Sequence, residues 1–97
     1  MPVKTPNAAA VDPTSVALAA LAATLCDERR AQLFLDLTGI GTDELRARAA
    51  DPVLLAALIG FLEAHEPDLI AVASEAGVTP AQLIAAGRAL DDSKELT

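Results

Sequence analysis

The sequence predicts an all-α fold: a compact orthogonal bundle of five to six helices with a helix-turn-helix-like C-terminal pair. Three observations predict it. Apolar residues make up 53% of the chain, most of them alanine and leucine, while the aromatics are only Phe34 and Phe61. Alanine and leucine favour helix, whereas strands draw on β-branched and aromatic residues. Helix starts are also punctuated: Asp12-Pro13, Asp51-Pro52 and Thr79-Pro80 each place a capping oxygen before a proline at the first helical position. Finally, Gly39-Ile40 and Gly77-Val78 read as stops, a left-handed glycine followed by an aliphatic that folds back in a Schellman arrangement.

Taken in order, the first helix is expected near 13–25, with Leu18, Leu21 and Leu25 on one side and Ala19, Ala20 and Ala23 on the other. The second, near 28–38, ends at Gly39. Thr42 reads as the cap of a short surface helix near 43–50, with Asp43 and Glu44 at its positive dipole end, Leu45 and Ala49 inward, and Arg46 and Arg48 outward. The helix near 52–65 is apolar almost all round, which marks a central element. Leu54, Leu55, Leu58, Ile59, Phe61 and Leu62 cover one face, opposite Ala56, Ala57, Gly60 and Ala64. Helices near 67–76 and 80–91 follow. Glu66-Pro67-Asp68 is a weak start for the former, and Thr79 with Gln82 forms a capping box for the latter. The division is one helical domain over 11–92, between tails at 1–10 and 93–97.

Ninety-seven residues supply one core. The net charge of −7 repels phosphate backbones and anionic membrane surfaces. Cys26 is the lone cysteine, so no internal disulfide forms, which suits a reducing cytoplasm. Residues 16–25 have the apolarity of a secretory leader, but Asp12-Pro13 interrupts the run before them and Leu25 spoils a lipoprotein-type site at Cys26. No run approaches the ~20 apolar residues of a membrane span. The expected location is cytoplasmic.

The segment LFLDLTGIGTDELRARAADPVLLAALIGFLEAHEPDLIAVASEAGVTPAQLIAAGRAL is similar to a family of short bacterial proteins, domain of unknown function 3572. The resemblance rests on Leu37-Thr38-Gly39, on Leu45-Arg46-Ala47-Arg48-Ala49 before Asp51-Pro52, and on Phe61-Leu62 with His65-Glu66. It covers about 16–90. It implies a small intracellular helical protein and supplies no catalytic residues.

The residues themselves offer few chemical candidates. The turn between the last two helices has helix-turn-helix layout, which would leave Gln82 to read a base edge and Arg88 to hold a phosphate. From residue 63 onward, however, seven acidic residues face two basic ones, the reverse of what phosphate binding needs. Arg29, Arg30, Arg46 and Arg48 form the one basic cluster. They are interleaved with acids, and Glu44 stands at ion-pair spacing from Arg48. They read either as a solvated, paired face or as a docking patch. His65 reads as a surface histidine at a helix end, and Cys26 as a small packing residue. No metal, cofactor or catalytic constellation is present in the pattern. The small-residue rows Ala19/Ala23 and Ala56/Gly60/Ala64 either pack on each other or leave one exposed, that of the first helix, for a partner or a symmetry mate. The expectation is a non-enzymatic protein-interaction or adaptor module whose partner is a protein or a second copy in a homodimer. The alternative is a divergent helix-turn-helix regulator. No membrane partner is expected, and nucleic acid is disfavoured.

Overall fold

The computed structural model describes residues 12–96, so the tail expected at 1–10 lies outside the described residues. Six helices and no strand occur among them: α1 (Pro13–Leu25), α2 (Glu28–Thr38), α3 (Thr42–Ala47), α4 (Pro52–Glu63), α5 (Glu66–Ala76) and α6 (Pro80–Leu96). Helix α6 runs on through residues 93–96.

The caps behave largely as their chemistry dictates. Asp12 accepts the Ser15 amide at 3.0 Å, and Asp51 accepts that of Val53 at 2.9 Å. Thr79 and Gln82 cap each other: the Thr79 amide donates to Gln82 Oε1 at 2.9 Å, and the Gln82 amide to Thr79 Oγ1 at 3.0 Å. Asp27, which the sequence did not single out, caps α2 through the Arg30 amide at 3.0 Å. Thr42 is not a cap. Gly41 holds that position without a side-chain bond, and α3 begins at Thr42 itself.

Gly39 and Gly77 are both left-handed, at φ 74° and 79°. Only Gly77 makes the full Schellman pair, with Val78 donating to Ala73 and Gly77 to Ser74. At Gly39 a single bond to Leu35 remains. There Thr38 Oγ1 accepts the Ile40 amide at 3.4 Å, removing the donor that the second bond would need.

Helices α5 and α6 cross at 94°. Helix α1 touches α2, α4, α5 and α6, and the most extensive packing lies between α4 and α6. The crowded centre decides which side of α1 goes inward. Its alanine side goes inward, with Ala17 and Ala20 fully enclosed and Ala23 8% exposed, while Leu18 and Leu25 are 37% and 40% exposed. Small side chains let several backbones approach one helix at once. Ala23 is therefore interior and Ala19 half-buried, which removes them as an outer interaction stripe. The facing row on α4 does the opposite: Ala56 is half-buried, Gly60 and Ala64 exposed. Gly60 and Ala64 are thus not covered by another helix.

The rest of the core follows the hydrophobic pattern. Leu54, Leu55, Leu58, Ile59 and Leu62 of α4 are buried with Phe34, Val72 and Leu83. Phe34 and Phe61 lie 5.5 Å apart at a tilted angle. Helix α6 meets α4 so closely that a Cβ on Gly87 would stand 2.7 Å from Ile59 Cγ2. Gly60, on the outer side of α4, has open space at the same position.

Those two glycines give a sign test. Gly60→Ala should raise stability by up to about 1 kcal/mol through helix propensity. Gly87→Ala should lower it by about 1 kcal/mol, because the overlap with buried Ile59 outweighs that gain. Urea midpoints measure both, and a stabilised Gly87→Ala protein would mean that α4 and α6 are farther apart.

Candidate binding cleft

Leu25 of α1 is exposed, yet it stands with the core residue Leu21 at the edge of a concavity. Leu21 and Leu25 form one wall of a cleft of about 420 Å³, Ala31 and Leu35 of α2 the second, and Thr42, Leu45, Arg46 and Ala49 of the α3 region the third. Each wall follows from helical spacing: 21 and 25, 31 and 35, and 42 and 46 are all one turn apart. A two-residue connection, Cys26-Asp27, holds α1 and α2 side by side. Six of the eight lining residues are apolar, Thr42 contributes a hydroxyl, and Arg46 is the one charged lining residue.

The four arginines do not act as one cluster. Arg30 is buried, 6% exposed, between α1, α2 and α5. Its guanidinium lies 3.4 Å from Asp27, 3.4 Å from Asp68 and 3.6 Å from Glu75, and donates to the Ala23 carbonyl. The enclosed Nε approaches Asp68 without completing a hydrogen bond. Arg29 reaches the same Asp68 oxygen at 3.0 Å from an exposed position. Arg48 holds Glu44 at 3.2 Å, as its spacing predicted, and Asp51 at 3.1 Å. Arg46 makes no ion pair among the described residues. A docking patch built from all four is therefore replaced by three paired side chains and one arginine at the cleft.

Asp27 and Asp51 are both held below the usual carboxylate range, first by the backbone amides they cap, at Arg30 and Val53 respectively. The guanidinium of Arg30 beside Asp27, and that of Arg48 beside Asp51, act in the same direction. Arg48 is raised in turn, chiefly by its hydrogen bond to Asp51.

Among the residues weighed for DNA, Gln82 is exposed on α6, but its Oε1 is engaged by the Thr79 amide. Arg88 is exposed beside a small cleft between α4 and α6, which Glu63 and Asp91 also line. The outward face of α6 otherwise carries Ala81, Ala85 and Ala89. His65 stands between α4 and α5. Its Nδ1 donates to the Phe61 carbonyl at 2.8 Å, and its ring lies 4.7 Å from that of Phe61. Cys26 is exposed at the α1 C-terminus, not packed as expected. No group of three metal-ligating side chains occurs among the described residues. No single helix there is long and apolar enough to cross a membrane.

The sequence does not single out the cleft, because α1 is apolar on both sides and spacing alone does not say which of its leucines stay outside. The traceable signal was two consecutive helices with aliphatics one turn apart and a two-residue connection. The Arg30–Asp68 contact, between residues of α2 and α5, left no such trace.

Breaking the buried network should cost more than breaking the exposed one. Arg30→Met leaves Asp68, 9% exposed, with only the exposed Arg29 as a partner and removes the buried donor to the Ala23 carbonyl, which should cost about 2 kcal/mol in chemical denaturation. Arg48→Met should leave stability near native. Equal losses would contradict the assignment of Arg30 as the structural pin.

A pH dependence follows from the two capping aspartates. Their folded-state pKa values are lowered, so the stability they contribute is present above the ordinary carboxylate range, about pH 4, and is lost as pH falls below it. Asp27→Asn with Asp51→Asn should lower the neutral melting temperature and flatten its acid decline. An unchanged decline would assign acid sensitivity to other carboxyls.

With the geometry in hand, comparison with known proteins adds a family and no activity. The model of a family described as a protein of unknown function, DUF3572, matches residues 10–93. No curated protein and no solved structure matches the chain. The chain belongs to the DUF3572 family.

Proposed function

We propose that this member of a family without a described activity is a non-enzymatic, cytoplasmic protein-interaction module. The observation that carries the reading is the aliphatic face of α1. Leu18 and Leu25 are more than one-third exposed, and the face they share with Leu21 runs into the cleft between α1, α2 and α3. Exposed aliphatics continuous with a concave apolar surface are the ordinary feature of a docking site. The site residues lack the pairing of nucleophile, base and orienting group that catalysis requires. An exposed free cysteine suits a reducing compartment.

The helix-turn-helix alternative has geometry in its favour, since the 94° crossing of α5 and α6 is that of such a motif. Its chemistry is opposed: the face that would enter the groove is mostly alanine on a chain of net charge −7.

A photoreactive amino acid at position 18 or 25, introduced in the native cell, should give one discrete protein adduct, and position 85 none. Duplex DNA should not bind at physiological salt in fluorescence anisotropy. Adducts confined to position 85, or a salt-sensitive micromolar DNA titration, would turn the assignment to the regulator.

A further inference from the structure

We propose that the cleft binds a medium-chain aliphatic carboxylate, with the chain along Leu21, Leu25, Leu35 and Leu45 and the carboxylate on Arg46 and Thr42. This rests on the cleft being a binding surface and goes beyond the docking of a protein partner. Size points to a small occupant. Eight residues line an open cleft of about 420 Å³, inside the ~300–1,000 Å³ of small-molecule sites, whereas a protein interface engages roughly 20–30 residues a side.

The lining sets the chemistry. No aromatic ring is present to stack a planar ligand, and the aliphatic walls fit a flexible hydrocarbon chain. The polar groups converge on one strip of α3, where Thr42 and Arg46 stand one turn apart. Charge complementarity then selects the head group. Arg29, Arg30 and Arg48 are all held by acidic side chains, whereas Arg46 has no ion-pair partner among the described residues. A guanidinium takes a carboxylate through two parallel hydrogen bonds, and the neighbouring hydroxyl adds a third donor. The net charge of −7 penalises a polyanion more than a monoanion, so a carboxylate fits better than a phosphate.

The test uses sodium octanoate, octanol and octyltrimethylammonium as probes, titrated into the full chain at physiological salt and followed by amide NMR shifts. Octanoate should saturate at one molecule per chain, with shifts at Ala31, Leu35 and Leu45. It should bind about tenfold tighter than octanol, the gain expected for a charge-assisted contact, and the cationic probe should bind weakest. Arg46→Gln should bring octanoate down to the octanol level while leaving octanol binding and the thermal melt unchanged. Equal affinities for octanoate and octanol, shifts centred elsewhere, or no saturation by octanoate would each overturn the proposal. None of these outcomes alters the cross-links expected from positions 18 and 25. Absence of those cross-links with octanoate still saturating would overturn the protein-docking reading alone.

Discussion

The distance at which helices cross α1 constrains everything else in this fold. Four helices pack against it, and it meets them with Ala17, Ala20 and Ala23 inward. Gly87 of α6 plays the same part against Ile59 of α4. Packing of this kind exchanges the transfer free energy of large side chains for closeness, gaining dispersion contacts along the backbones. The consequence appears on the other side of α1. With its small residues in the interior, Leu18 and Leu25 stand outward, and Leu25 with the core residue Leu21 forms the α1 wall of the apolar cleft. The functional surface is a by-product of how the core is filled.

Electrostatics organises what packing leaves free. The acidic chain spends Arg30 on a buried junction, where Ala23, Asp27, Asp68 and Glu75 tie the end of α1 to α2 and α5. Burying an ion pair contributes little net stability, but removing one member leaves a charge without compensation. The junction therefore works as a register pin for α2. On the same helix Ala31 and Leu35 line the cleft while Phe34 enters the core. Arg48 clamps the turn from α3 to α4 through Glu44 and Asp51. Arg46, between these uses, is left facing the cleft.

Much of this was legible in the sequence because helix termini are local events. Asp12, Asp51, and Thr79 with Gln82 cap as their spacing dictates, and Gly77 ends α5 with both Schellman bonds. The outward face of α6 also follows from periodicity, as does the buried face of α4. The misses have a shared cause. Helical periodicity separates two faces of α1 but does not say which is inside when both are apolar: Leu21 is buried with Ala17 and Ala20, while Leu18 and Leu25 are exposed. The same ambiguity hid the cleft and left open whether Ala19 and Ala23 are internal or an interaction stripe. Thr42 failed as a cap because Gly41 reaches the position first. The Arg30 network joins distant segments, and no local spacing encodes it.

The orientation of α1 is read directly by equilibrium denaturation of two variants. Ala20→Val adds volume to a fully enclosed position and should cost about 1–3 kcal/mol, while Leu25→Ser, on the exposed side, should cost less than about 1 kcal/mol. A tolerated Ala20→Val together with a Leu25→Ser loss of several kcal/mol would put the leucines in the core, and the cleft would not exist.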